Sequence, residues 1–150
     1  MKRTSTEKAY IAAAVENASS AELVMILIDL LVSDLKNAIA AMEVNDIEKR
    51  TEILKHGFLV LQQLQASVDM ENGGEAAVNF TNFYSAVRCQ MLEAQIKKST
   101  EILKRQIELL LDVRQAWQQV TTPAATAEKP AVPSAANSAQ EEQSGASWTA

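Results

Sequence analysis

The sequence predicts an all-α protein: an antiparallel, up-down four-helix bundle with an N-terminal cap segment and a disordered C-terminal tail. Four long stretches carry apolar residues at helical spacing, and no stretch alternates apolar and polar residues with a period of two. All three prolines lie within 123–133, and the glycine pair Gly73-Gly74 breaks the pattern in the middle. Because the connections between the four stretches are short, consecutive helices should be antiparallel neighbours.

The first helix is predicted over residues 19–44. Ser19 stands three residues before Glu22, which is the spacing of a capping box at a helix N-terminus. The helix then enters a run of ten residues, Leu23–Val32, in which nine are apolar. Asn45-Asp46 supplies a turn and the cap of the next helix.

Three further helices follow, over residues 47–69, 75–97 and 100–121. The sequence Asn72-Gly73-Gly74 should end the second helix, since glycine adopts the left-handed conformation of a helix stop without strain. Ser99 can cap the fourth helix. The residues expected to form the core, one stripe per helix, are Val24, Met25, Ile28, Leu31, Val32, Leu35, Ile39 and Met42; Ile47, Leu54, Phe58, Leu61, Leu64 and Val68; Ala76, Phe80, Phe83, Tyr84, Val87, Met91 and Ala94; and Ile102, Leu109, Leu110, Val113, Trp117 and Val120.

Every helix also carries apolar residues outside its core stripe. These surplus residues are Leu23, Ile26 and Leu30; Leu59; Leu92 and Ile96; and Ile107 and Leu111. Left in water, they would exceed the apolar patch of a few hundred Å² that monomers usually show. Two coverings remain open at this stage: burial by the chain itself or by a second copy, or a partner chain that lies along the grooves as amphipathic helices.

The chain divides into a cap segment at 1–18, the bundle at 19–121 and a tail at 122–150. The first segment includes the apolar residues Tyr10, Ile11 and Val15, which could fold back over part of the surplus. The tail is rich in Ala, Ser, Pro and Gln and has almost nothing to bury, so we expect it to be disordered.

Composition excludes several classes of function. The chain has 14 basic and 19 acidic residues in 150, a formal net charge of −5, and no basic stripe, which argues against nucleic acid and against anionic membrane. The apolar run is too short to span a bilayer. A single cysteine, Cys89, permits no intrachain disulfide, and the N-terminus has no apolar signal region, so we expect a cytoplasmic protein.

Groups for catalysis, a cofactor or a metal site are not found. His56 is the only histidine, and neither Cys89 nor Glu52 makes a convincing partner for it. The carboxylates Asp29, Asp34 and Glu43 are expected to be solvated. Two alternative functions stay open from the residues alone: phosphotransfer through an exposed His56, and a structural homo-oligomer.

Several motifs, in order and spacing, resemble the flagellar secretion chaperone FliS family. They are Ala9-Tyr10 with Val15, ASSAELV (18–24), SVDMENGGEAA (67–77), FYSAV (83–87), EAQIKKS (93–99) and RQAWQQV (114–120). The chain differs from the family pattern in helix 1. Family members commonly have a Leu-Tyr-Asp-Gly stretch there, and this chain has Leu27-Ile28-Asp29-Leu30. It also has Ser20 for a proline and Cys89-Gln90 for two arginines of helix 3.

The resemblance implies a cytoplasmic export chaperone that is not an enzyme and has no cofactor. Members bind the C-terminal region of flagellin, prevent its premature polymerisation and help bring it to the type III export gate. Their N-terminal segment can cap the groove that flagellin uses, and Tyr10 matches the tyrosine of that cap. The residues expected to bind the partner are therefore Tyr10, Leu23, Ile26, Leu30, Leu59, Leu92, Ile96, Ile107 and Leu111, and homodimerisation stays open.

Overall fold

The computed structural model describes residues 20–121, which form four α-helices. They are α1 (Ser20–Glu43), α2 (Ile47–Ala66), α3 (Gly74–Lys97) and α4 (Thr100–Thr121). α1 packs against α2 and α4, and α3 closes the bundle by packing against the same two helices. The predicted all-α fold is thus confirmed. The cap segment, including Tyr10, and the tail lie outside the described residues.

The predicted helix boundaries agree with the structure except at the end of α2. That helix was expected to reach residue 69, but it ends at Ala66, where the Ser67 hydroxyl donates to the carbonyl of Leu64 at 2.7 Å. Ser67 offers the last carbonyls a local partner before any glycine is needed. The predicted glycine stop is therefore wrong, and Gly74, with φ of +57°, begins α3 instead.

Both predicted capping residues within the described range occupy their expected positions. A side-chain oxygen of Asp46 accepts the backbone N–H of Lys49 at 3.0 Å at the start of α2. The hydroxyl of Ser99 accepts the backbone N–H of Ile102 at 3.3 Å at the start of α4. Each cap satisfies one of the amide groups that a helix N-terminus leaves without an intrahelical partner.

The core follows the predicted stripes closely. Its largest fully buried side chains are Tyr84, Phe83, Ile28, Leu31, Leu35, Leu54, Leu61, Leu64, Met91, Leu103, Leu110 and Val87. Burial raises the pKa of the Tyr84 phenol, which has aromatic neighbours in Phe83 at 5.5 Å and Phe80 at 6.2 Å between ring centroids. α3 therefore packs through large side chains, which the periodicity of the sequence had indicated.

Several positions correct the predicted core, among them four with large side chains. Ile47 was expected inside but is 51% exposed, because it is the first residue of α2 and lies at the end of the bundle. Ile53, Val60 and Leu103 were not assigned to the core, yet all three are buried. A stripe drawn at one residue per turn is too narrow, since each helix contacts two neighbours and buries a wider face.

The connection between α2 and α3 requires glycine at residue 73. A Cβ at Gly73 would lie 2.4 Å from the carbonyl oxygen of Asp69 and 2.5 Å from the Cβ of Ala77. The same Asp69 accepts the backbone N–H groups of Glu71 and Asn72 through its side chain, which holds the turn. At Gly74, by contrast, a Cβ would meet nothing within 4 Å.

We expect Gly73→Ala to lower the free energy of unfolding by about 2 kcal/mol, because the contact with backbone forces the turn to shift. The matched variant Gly74→Asn should lower it by less than about 1 kcal/mol, since asparagine tolerates positive φ. Urea unfolding followed by circular dichroism measures both. Equal losses at the two positions would show that the close approach at Gly73 does not control the turn.

Candidate binding surface

The surplus apolar residues remain partly or largely uncovered by the bundle. Four are exposed: Leu59 at 56%, Leu92 at 47%, Ile96 at 80% and Leu111 at 42%. The other four, Leu23, Ile26, Leu30 and Ile107, are half-buried. Leu30 and Ile107 also pack against the core. The helices thus carry more apolar surface than the interior of the described bundle takes up.

Leu23 and Leu30 border the boundary between α1 and α2. They lie on one side of α1 with Leu27 and Asp34, at spacings of four, three and four residues. Asp34 contacts α2 through a 2.6 Å bond to Nδ1 of His56, which places this side of α1 next to α2. Ile26 lies outside the stripe, toward the outer face of α1.

Ile107 and Leu111 border the boundary between α1 and α4. They share one side of α4 with Arg114, at spacings of four and three residues. The Arg114 guanidinium binds both carboxylate oxygens of Asp29 in α1, at 2.6 and 3.2 Å. Asp29 is exposed, as expected, but its carboxylate is paired with Arg114. This ion pair lies beside the apolar stripe of α4.

Leu92 and Ile96 form a third apolar surface on α3. They continue a stripe that includes Ser85 and Cys89, and all four residues are exposed. Val78, seven residues before Ser85, lies on the same face and is 47% exposed, although it was not among the predicted residues. The helical spacing from Val78 to Leu92 could have revealed it.

Polar contacts line the boundary between α2 and α3 beside this surface. The guanidinium of Arg88 donates to the side-chain oxygen of Gln65 at 2.8 Å and lies 5.9 Å from the ring centroid of Phe58. Gln65 also donates to the Ser85 hydroxyl at 3.4 Å. Arg88 thus joins α2 to α3 through both a hydrogen bond and a cation–π contact.

The predicted partner-binding residues therefore do not converge on one concave site. Four of them border the two interhelical boundaries of α1, and Leu92 and Ile96 lie on the outer face of α3. Ile26 and Leu59 lie apart from these groups, on the outer faces of α1 and α2. An extended segment that wraps around the bundle could contact all of these surfaces, whereas a compact ligand could not. Tyr10 lies outside the described residues.

The contact between Asp34 and His56 corrects one prediction. Asp34 was expected to be solvated, but its side chain is only 6% exposed, while that of His56 is 50% exposed. The carboxylate is buried because it lies on the flank of α1 that faces α2, and a buried carboxylate needs hydrogen-bond donors. The wheel position of Asp34, seven residues after Leu27, could have indicated this contact.

The polar groups of the described bundle form no recognisable reactive centre. Within residues 20–121, no three histidine, cysteine or acidic side chains are grouped as a metal site would require. Cys89 is a free, exposed thiol on α3, while the Nδ1 atom of His56 is engaged by Asp34 in α1. None of the helices in that range is long and apolar enough to be a candidate membrane span.

Comparison with known proteins places the chain in a family. The family model described as flagellar protein FliS matches residues 2–124. The chain belongs to the FliS family. This is a family of chaperones rather than enzymes, and its match includes the predicted cap segment as well as the whole helical bundle.

Curated relatives carry the same description. The flagellar secretion chaperone FliS of Salmonella typhimurium is 29% identical over 119 residues, which cover 76% of this chain and 88% of that protein. FliSB of Pseudomonas aeruginosa is 26% identical over 115 residues, 77% of this chain and 91% of the relative. FliS of Vibrio cholerae is 27% identical over 103 residues, which cover 69% of this chain and 76% of that protein.

We expect His56→Ala to lower the free energy of unfolding by about 1–2 kcal/mol, because it removes a charge-assisted hydrogen bond from a buried carboxylate. Lys55→Ala, at an exposed neighbour on the same helix, should change it by less than about 0.5 kcal/mol. Urea unfolding with both variants provides the comparison. If the two variants are equally stable, the contact with Asp34 does not stabilise the bundle.

Proposed function

We propose that this FliS-family protein is a cytoplasmic export chaperone for flagellin. It binds the C-terminal region of flagellin along its apolar stripes, prevents premature polymerisation and assists delivery to the flagellar type III export gate. The observation that carries the proposal is the set of apolar side chains that the closed bundle leaves outside, of which Ile96, at 80% exposure, is the most open. The lone free thiol, Cys89, is consistent with a reducing compartment.

Binding would follow from the geometry of these stripes. An amphipathic helix that lies along α1 and α2 would cover Leu23 and Leu30, and one along α1 and α4 would cover Ile107 and Leu111. Completing the burial of these partly buried side chains would contribute part of the about 1.5–3 kcal/mol that a fully exposed leucine or isoleucine gains, which offsets some of the entropy that a disordered client loses on folding. The client surfaces that would otherwise self-associate would then be occupied.

The polar contacts beside the stripes would supply orientation. Asp29 and Arg114 flank the apolar residues of α4, and Arg88 lies next to those of α3. Such rim groups mostly affect specificity and association rate, while the apolar residues contribute most of the affinity. This division predicts that changing an apolar residue of the stripes to a charged one weakens client binding more than changing a rim residue does.

We also propose that residues 1–18 cover part of this surface in the free chaperone, with Tyr10 as the main contact. A cap that must leave before the client binds lowers the observed affinity by its own docking free energy. The cap would then regulate access to the apolar stripes without any chemical reaction. The match of the family model from residue 2 supports a function for this segment.

Leu111→Asp should weaken flagellin binding at least tenfold while preserving helicity, because Leu111 is exposed in the free protein. Gln119→Asp adds the same charge to another exposed position of α4 and should bind as the original chain does. Leu31→Asp, in the buried core, should instead abolish folding. Co-expression with the flagellin of the same bacterium, followed by size-exclusion chromatography, compares the variants.

Two results would contradict the proposal. If Leu111→Asp binds flagellin as well as Gln119→Asp does, the α1–α4 boundary is not the client surface. If the protein elutes as a tight homodimer without flagellin, and Leu111→Asp dissociates that dimer, then the apolar stripe is a self-interface. The second result would establish the structural homo-oligomer instead.

Removing residues 1–18 should increase binding of the dye ANS and tighten flagellin binding several-fold, because the apolar stripes lose their competitor. Far-UV circular dichroism checks that the bundle remains folded. Unchanged dye fluorescence with intact helicity would show that this segment does not cover the stripes.

A further inference from the structure

The outer face of α3 differs from the outer faces of the other helices because it carries no charge along most of its length. In each of the other three helices at least four exposed residues are charged. Charged residues usually cover the exposed face of a surface helix, so an uncharged one indicates contact with another surface. Among residues 76–96, all of which the structure describes, the exposed residues, which we call the α3 line, are Val78, Asn82, Ser85, Cys89, Leu92 and Ile96.

The α3 line forms a ridge, whereas the apolar stripes of α1 and α4 border grooves. Its residues are spaced four, three, four, three and four apart, so they follow one side of a single helix. Leu23 and Leu30, like Ile107 and Leu111, lie instead at a boundary between two helices. A groove between two helices suits an amphipathic segment, while a ridge with alternating spacings of three and four residues suits a second helix with the same spacing.

We propose that the α3 line is the interface of a reversible homodimer in which the α3 helices of two copies pack antiparallel. A second copy of the chain carries the same spacing and the same uncharged residues, so pairing buries no charged residue of the line. A two-fold axis produces a closed, self-complementary contact of this kind. The inference does not rest on the proposed binding of flagellin, because a second copy on α3 leaves the apolar stripe of α1 uncovered.

The order of side chains along the α3 line fits a two-fold axis between Ser85 and Cys89. About that axis, Val78 of each copy faces Ile96 of the other, and Ser85 faces Cys89. Small side chains at the centre let the two helices approach closely, while the larger apolar side chains pack at both ends. The line is therefore complementary to itself when it is read in the opposite direction.

The charges at the two ends of α3 favour the antiparallel arrangement. Glu75 and Lys97 are the exposed charged residues of this helix and lie at its opposite ends. Antiparallel packing brings Glu75 of one copy near Lys97 of the other and aligns the helix dipoles favourably, whereas parallel packing would place like charges together. Arg88, on the flank of the line, is directed toward α2 by its hydrogen bond to Gln65 at 2.8 Å.

The size of the contact predicts a weak dimer. From Val78 to Ile96 the line is about 27 Å long, and a helix is about 10–12 Å wide, so the contact covers on the order of 300 Å² on each copy. Interfaces of this size are weak and transient. Asn82 faces Leu92 in this register, and a polar residue at one such position fixes the register at a cost in stability. We expect a dissociation constant on the order of tens to hundreds of micromolar.

Sedimentation velocity of the full chain without flagellin tests the dimer. Between about 5 and about 500 µM the chain should shift from monomer toward dimer. Ile96→Glu should raise the dissociation constant at least tenfold, because the interface would bury two glutamates without partners. Leu59→Glu makes the same replacement at a residue of α2 that is 56% exposed, and it should leave the dissociation constant unchanged. A monomer at every concentration, or equal effects of the two variants, would overturn the proposal.

Disulfide trapping tests the antiparallel register. Val78→Cys and Ile96→Cys are each combined with Cys89→Ser, so that every chain has one thiol. Val78 lies opposite Ile96 in the proposed dimer, whereas like positions of the two copies are about 27 Å apart. Mild oxidation of the mixture should therefore yield a covalent dimer, and oxidation of either variant alone should not. Covalent dimers of the separate variants, or none in the mixture, would refute the antiparallel contact.

A third measurement separates a second copy from the client as the occupant of the α3 line. If the chain stays monomeric and flagellin protects the thiol of the Ile96→Cys variant from alkylation, the line belongs to the client and the homodimer is excluded. The first two experiments contain no flagellin, so their outcome does not depend on whether the proposed client is correct.

Discussion

Each helix of a four-helix bundle can bury only the part of its circumference that faces the interior and its two neighbours. The rest of the structure depends on this limit. α1 has an apolar run that is wider than the buried face, so Ile28, Leu31 and Leu35 are completely buried while Leu23, Ile26 and Leu30 remain half-exposed. Since α2, α3 and α4 also carry surplus apolar residues, the uncovered surface surrounds the bundle instead of forming one cleft.

Specific polar contacts position the helices beside this surface. Asp34 and His56 join α1 to α2, Asp29 and Arg114 join α1 to α4, and Arg88 joins α3 to α2 through Gln65. Apolar packing alone tolerates sliding of one helix along another, whereas a hydrogen bond with a defined partner fixes the register. The apolar stripes are therefore held at defined positions relative to each other.

The ends of the bundle differ from its sides. Apolar stripes run along the sides, whereas at the end that holds the α1–α2 turn Arg50 and Lys98 line a small pocket together with Met42, Ile47 and Asp46. Antiparallel packing brings the N-termini of α2 and α4 and the C-termini of α1 and α3 to this end, so their partial charges oppose each other.

Much of the fold could be predicted from the sequence because its signals are local. Helical periodicity depends on residues three and four positions apart, and capping by Asp46 and Ser99 depends on residues within one turn, so the four helices and these two caps were correct. The exposure of Leu59, Leu92, Ile96 and Leu111 could likewise be derived from the helical wheel.

The tertiary structure decided what depends on residues far apart in the chain. The sequence alone could not show that Asp34 is buried against His56, that Ile53, Val60 and Leu103 complete the core, or that Arg50 and Lys98 line one pocket. Each of these outcomes requires knowing which faces of two different helices meet. That choice is made by packing between the helices, and a single helical wheel contains no information about it.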